Sequence, residues 1–444
     1  MNAQGKKHIV ILGGGFGGIY AALRLQNKLG RDANIEITLV NRENFFLFTP
    51  MLHEIAAGDL DPADIVSPIR SLLKRGNFLC GEVEQIDLER KIVGVSHGYE
   101  RHTHPIEYDY LVLALGSVTN FFMLPGVEER SLTMKSLGDA IQLRNRLIAH
   151  LEEADAEMDT NDAKALLTFV VAGGGFAGVE TIAAVNDFIR ESLKFYPRLT
   201  EEMVSVIVAH PGEVILPELG PDLGAYAQRK LRQRGVEIRT KTKVIEATNE
   251  GVKLSDGTFI KTHTLIWTAG TSPHPLLGML PCESEKGRIK VDEFLQVPKW
   301  PGVFAFGDCA VVPNARTGKP HPPTAQHAVR EAKTAADNIV ADLRGKAMKP
   351  FDFKLIGQLA AIGRRTGVAK IFGFKFSGFF AWWMWRTIYL SKLPRFEKKL
   401  RVAIDWTLDL IFAKDLVQYI SVRSPSVSHE MHAEMDRATN IKAA

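Results

Sequence analysis

Cysteine is scarce in this 444-residue chain: Cys80, Cys282 and Cys309 are the only three, far apart and outside any CxxC or metal-ligand spacing. That excludes a disulfide framework and favours a reducing compartment. Long hydrophobic runs are also missing. No window of about 18 to 20 uncharged apolar residues occurs, so no segment is expected to span a bilayer. A signal peptide is not expected, because MNAQGKKHIVIL runs from two lysines straight into a β-like stretch and glycines. An excess of one charge is absent too. The net charge of +4 is too mild to imply nucleic acid as a partner. What remains is a 45% hydrophobic, 24% charged composition, ordinary for a well-cored globular protein of two or three domains.

Glycine, by contrast, is concentrated at two places. Residues 13–20 read GGGFGGIY and residues 173–180 read GGGFAGVE. Each sits in the same context. HIVIL (8–12) is suited to a buried strand, Gly13, Gly15 and Gly18 fall at GxGxxG spacing, IYAALRLQNKL (19–29) is helical in period, and IEITLV (35–40) is a second strand. Gly13 makes a tight turn, Gly15 lets backbone approach a pyrophosphate, and Gly18 allows close helix–strand packing. LLTFVVA (166–172), Gly173, Gly175, Gly178, VETIAAVNDFI (179–189) and VSVIVA (204–209) repeat the pattern. Two such α/β units in one chain imply two dinucleotides. YDYLVLALGS (108–117) and HTLIWTAGTSP (263–273) are strands ending in ALG and TAG, at Gly116 and Gly270. GVFAFGDCA (302–310) is a strand ending in Gly307–Asp308, whose carboxylate can accept from ribityl hydroxyls or serve as an ordinary turn aspartate.

In this order the motifs resemble the two-dinucleotide-binding-domain flavoproteins of the pyridine nucleotide–disulfide oxidoreductase superfamily, over about residues 7–345. The resemblance implies an α/β fold with an FAD domain at 1–120 and 285–345, an inserted NAD(H) domain at 121–284, and a C-terminal region at 346–444. FAD would lie against Gly13, Gly15, Phe16, Gly18, Asn41, Arg42, Gly116, Gly307 and Asp308. NADH would lie against Gly173, Gly175, Gly178, His210 and Gly270. Asn41 and His210 stand where a ribose-gripping acid is usual; without a carboxylate at His210, repulsion of an NADPH 2′-phosphate is missing.

PPTAQHAVREAKTAADNI (322–339) starts a helix with Thr324 as cap, and its AQHAVR is similar to the A-Q-x-A-x-Q motif of type II NADH:quinone oxidoreductases. VNRENFFLFTPML (40–52) and DWTLDLIFAKDLVQ (405–418) resemble further segments of that family. The resemblance implies NADH oxidation through FAD to a membrane quinone, without proton pumping. It places Ala325 and Gln326 at the flavin edge and Gln326 at the quinone, with Arg330 replacing the second motif glutamine. Arg330 either donates to the quinone or pairs with a carboxylate. Glu180 would stand at the nicotinamide–flavin contact; the plainer reading is a first-turn acid favoured by the helix dipole. Reductases of other acceptors, such as ferredoxin or sulfide:quinone types, and a redox sensor like apoptosis-inducing factor stay open, although no cysteine motif supports a thiol pair.

Residues 376–412 hold four of the six tryptophans, Trp382, Trp383, Trp385 and Trp406, with six basic residues between 386 and 401. Phe396, Leu400, Ile404, Leu408 and Ile411 recur at helical spacing. This suits a surface anchor on an anionic membrane, or else a domain core or homodimer interface. The family resemblance favours a peripheral membrane protein on the cytoplasmic face of the cell membrane. Residues 424–444 are read as a polar tail whose His429 and His432 are isolated, and no metal site is expected.

Overall fold

The strand Lys7–Leu12 is buried from His8 onward, as an all-apolar run demands when both faces of a sheet are covered. In the computed structural model, which describes residues 5–98, 100–156 and 160–419, this strand is the centre of a five-stranded parallel sheet. The order is Val303–Ala305, Tyr110–Leu113, Lys7–Leu12, Ile35–Asn41, Asn77–Cys80, with Ile9 facing both Ile37 and Tyr110. Helix Phe16–Leu29 follows the first glycine turn and packs along helix Ala325–Leu343, tied by Arg24 to Asp337 at 2.8 Å.

A second five-stranded parallel sheet has the same plan: Ser131–Thr133, Thr264–Trp267, Thr168–Ala172, Ser205–His210, Val236–Thr240. Each sheet sends out a three-stranded antiparallel meander before its strand Tyr110–Leu113 or Thr264–Trp267, and each meander carries a register shift in its first pair, at Val83/Gln85 and Val244/Glu246. The duplication seen in two short motifs therefore extends through whole units. One boundary differs from the sequence expectation. Leu166 ends helix Thr160–Leu166, and the strand begins only at Thr168. Leu167 N–H still bonds Ala163 O at 3.0 Å, and a short apolar run does not distinguish buried helix from buried strand.

The C-terminal region is an antiparallel sheet, Gly357–Ala361, Gly367–Ile371, Phe374–Gly378, followed by helices Phe379–Lys392 and Phe396–Leu408. A Cβ on Gly367 would lie 2.7 Å from Trp382 N, so glycine is what lets helix and sheet touch. Trp382, Trp385 and Trp406 are buried here rather than forming an interfacial belt, and only Trp383 of the four is exposed. The expected apolar stripe behaves the opposite way. Phe396, Leu400, Ile404 and Leu408 are all exposed, and Ile411 is exposed just past the helix end. The tail with His429 and His432 lies outside the described residues.

Candidate active site

The glycine turns are built as their chemistry requires. Gly13 has φ +102°, and a Cβ there would lie 2.2 Å from Ala114 O; on Gly18 it would lie 1.7 Å from Gly13 O. Over Gly15 nothing comes within 4 Å, which leaves the N-terminus of the helix open to a phosphate. Gly173 (φ +109°), Gly178 (1.9 Å from Gly173 O) and Gly175, with only Glu218 Oε1 at 4.0 Å, repeat this arrangement. The residues at the ribose-gripping positions are turned onto these loops. Gly14 N–H donates to Asn41 Oδ1 at 2.7 Å, and Gly174 N–H donates to His210 Nδ1 at 3.2 Å. The second bond requires a neutral imidazole, and burial lowers the His210 pKa accordingly. Beside the first turn lies a cavity of about 210 Å³ lined by Gly13, Asn41, Arg42, Ser117 and His274 among others. Phe16 packs edge-on to Phe46 at 5.1 Å.

Beyond that cavity the ALG and Gly-Asp ends meet. Gly116 has φ +73° and open space above it. Ser117 Oγ donates to Asp308 Oδ2 at 2.5 Å, and Lys135 Nζ donates to Ser117 Oγ at 2.7 Å. Burial lowers the Lys135 pKa while Asp308 opposes that shift. Gly307 N–H donates to Glu331 Oε2 at 2.8 Å, and burial raises that carboxyl to about 7. Ser117, Lys135 and Glu331 carry no motif and escape sequence reading. In the second unit Gly270 meets the Phe122 ring, 2.5 Å from where its Cβ would stand.

Helix Ala325–Leu343 begins beside Gly307, whose Cβ position is 3.3 Å from Ala328. Thr324 caps it, accepting from His327 N–H as expected. Gln326 Nε2 donates to Gly357 O at 2.7 Å. Arg330 donates to Gln326 O at 3.1 Å and stacks over Phe353 at 4.1 Å. No carboxylate among the described residues pairs with it, so the ion-pair reading of Arg330 does not hold.

Glu180 is the fifth residue of helix Phe176–Ser192, beyond the first turn, and the dipole reading fails with that. It is buried between three parts of the chain. Trp385 Nε1 donates to its Oε1 at 2.9 Å, Ala361 N–H donates at 3.2 Å, and His53 Nδ1 lies 4.0 Å from Oε2. Burial raises Glu180 to about 8, against the pull of those two hydrogen bonds, and neighbouring Glu54 adds to the rise. His53, on helix Leu52–Ala56, is pushed down to about 4 by burial and is neutral at pH 7.

Residues 7–332 match the pyridine nucleotide-disulphide oxidoreductase family, and residues 356–415 match the NDH2 C-terminal domain. The chain belongs to the type II NADH:quinone oxidoreductases. It is 33% identical to a probable NADH dehydrogenase of Dictyostelium discoideum, covering 93% of this chain and 91% of that one. It is 33% identical to the type II NADH:quinone oxidoreductase Ndh of Mycobacterium tuberculosis, covering 91% and 88%. The fold is shared with NDH2 from Plasmodium falciparum in complex with NADH, at TM-score 0.86 and 22% identity over 93% of this chain and all of that one. The residues present fit the family's flavin dinucleotide. An open helix N-terminus, a cavity beside it and the Ser117–Asp308–Lys135 group gather around the carboxyl ends of the first sheet's strands, with Ser117 lining the cavity.

Proposed function

We propose that this protein oxidises NADH and passes the electrons through FAD to a quinone, without pumping protons. Membership of a quinone-reducing family and the pairing of two dinucleotide units in one chain carry the reading. FAD, when bound there, would supply hydride acceptance from NADH and two-electron transfer onward. The first unit, 1–120 and 285–345, would hold FAD through Gly13, Gly15, Gly18 and Arg42, with Asp308 and Gly116 available to its ribityl hydroxyls. The second, 121–284, holds NADH through Gly173, Gly175 and Gly178. The N-terminus of helix Ala325–Leu343 presents a positive dipole end that favours negative charge at the flavin edge, with Gln326 there. Glu180 supplies a proton near the reacting rings, since a carboxyl near 8 is protonated at neutral pH.

The C-terminal region, 346–444, docks on the membrane. No helix of the described residues is long and apolar enough to cross one. The second helix instead exposes Phe396, Leu400, Ile404 and Leu408, with Lys399 and Arg401 on the same element. A peripheral protein on the cytoplasmic face, meeting anionic lipid, accounts for this surface; a homodimer through the same face is the competing arrangement. In the decisive experiment, yellow, FAD-bearing protein is mixed with vesicles carrying a long-chain quinone. NADH should be oxidised faster on anionic than on neutral vesicles. Protein that is colourless after reconstitution with FAD, or that is reduced by NADH yet reduces no quinone, removes the reading. Equal rates on both vesicles, with a concentration-dependent dimer in solution, assign the apolar face to a second copy.

Arg330, one turn beyond Gln326 and stacked on Phe353, keeps its remaining guanidinium N–H groups for a quinone carbonyl. Arg330→Gln should change the quinone KM about threefold or more and leave flavin reduction by NADH unchanged. Identical quinone kinetics would leave Arg330 with a packing role alone.

A further inference from the structure

His53 and Glu54 are adjacent and buried on helix Leu52–Ala56. Both line the same cavity as Glu180. Its volume, about 40 Å³, exceeds the roughly 10–15 Å³ that a single water needs. The two glutamates are held alike. Trp406 Nε1 donates to Glu54 Oε2 at 2.9 Å, as Trp385 Nε1 donates to Glu180 at 2.9 Å, and the two indoles lie 6.3 Å apart. Around Glu54 stand Arg386 and Asp409 from the C-terminal region, Asp59 from its own segment, and Glu180 from the nucleotide-domain helix. Six carboxylates line the cavity, against three cations, Arg364, Arg386 and Lys414. Protonating Glu54 and Glu180 removes most of the negative surplus. Glu54 and Glu180 are buried, at 5% and 9% exposed, whereas the Asp59 and Glu191 side chains are 19% and 32% exposed.

Quinone reduction consumes more protons than the hydride carries: NADH + H⁺ + quinone gives NAD⁺ + quinol. The hydride equivalent brings two electrons and one proton, and the other proton is drawn from water. A head group entering from lipid lies among apolar side chains, so that proton has to be conducted to it. We propose that Glu54 is the relay that carries this proton through the cavity to Glu180, an inference that rests on the quinone-reductase reading above. Glu180 gives its proton to a quinone oxygen as the new O–H bond forms. It then takes one from Glu54 through cavity water, and Glu54 is reprotonated from solvent past Asp59 and Glu191. Arg386, stacked between Trp382 at 4.2 Å and Trp406 at 4.6 Å, stabilises Glu54 while it is ionised.

Glu54→Gln keeps the shape and the acceptor for Trp406 but cannot carry a proton. With the FAD-loaded protein in anaerobic stopped flow, reduction by NADH should be unchanged. Reoxidation by a short-chain quinone should slow at least about tenfold, and the decline near pH 8, shared by two carboxyls in the parent, should become shallower because Glu180 alone remains to titrate. Glu54→Asp should restore part of the rate. Infrared titration of the oxidised protein, with neither NADH nor quinone present, should show carboxylic-acid absorption that disappears near pH 8, and Glu54→Gln should lose the Glu54 part of it while keeping that of Glu180. A Gln variant with the parent's rate and pH profile overturns the relay. So does a slowed variant whose pH profile is unchanged, which assigns Glu54 a structural role. Parent protein that is reduced by NADH but reduces no quinone overturns the function itself, and the relay with it.

Discussion

Gly18→Ala should leave the protein without flavin. The added methyl would stand 1.7 Å from Gly13 O and 2.9 Å from Gly13 C, and both belong to backbone rather than to a side chain that can rotate away. Overpacking that side chains absorb costs about 1–3 kcal/mol, so a backbone clash at this distance exceeds it. The helix must lift from strand Lys7–Leu12, which displaces the turn where the pyrophosphate would bind. The variant should purify colourless, with a lowered Tm and no flavin uptake on reconstitution. Gly178→Ala is the control, since its methyl would stand 1.9 Å from Gly173 O in the other unit. It should stay yellow and lose reduction by NADH. A yellow Gly18→Ala protein that NADH still reduces would show that the first turn is not the flavin site.

That contrast also shows why the glycine turns were legible. A left-handed φ at Gly13 and a close approach at Gly18 are local demands, set within about five residues, and only glycine meets them. Thr324 was legible for the same reason, because a cap is decided one turn away. The Ser117–Asp308 bond joins residues 191 apart, and Trp406–Glu54 joins residues 352 apart. No spacing rule reaches that far. The tryptophans mark a further limit. FFAWWMWRTIYL is apolar nearly all round, so helical period does not say which face turns inward, and the sheet beneath it decides that Trp382 and Trp385 are buried. The next helix has a one-sided stripe, which the structure places outward. An apolar stripe in the sequence identifies a face and leaves its partner, core or lipid, to the rest of the fold.

The burial of Trp385 and Trp406 links the C-terminal region to the proposed site. Each ring has one side in the C-terminal core and its N–H on a glutamate of another domain. The C-terminal helices proposed to touch lipid are thus the same elements that hold Glu180 and Glu54 in place, so the proposed docking and proton delivery would share one scaffold.

Glu180→Gln should slow quinone-dependent turnover roughly a hundredfold, within the range for loss of a positioned proton donor. The variant should keep its fold and flavin, because glutamine retains an oxygen for Trp385 and Ala361. Stability alone does not explain the native carboxyl. Raising it from 4.5 to about 8 makes the ionised form cost on the order of 5 kcal/mol at high pH. Since the folded pKa is the higher one, the stabilising contribution of bound proton is complete below about 4.5 and is lost as pH rises through about 8. Glutamine removes that loss, so Glu180→Gln should unfold at a higher Tm than the parent at pH 9 and at a similar Tm at pH 5. In the parent, turnover should fall as pH rises through about 8, because the donor is then ionised. In the variant this decline should vanish along with most of the rate. A fast variant with an unaltered pH profile would remove Glu180 from the reaction and leave the cost of burying it without a function.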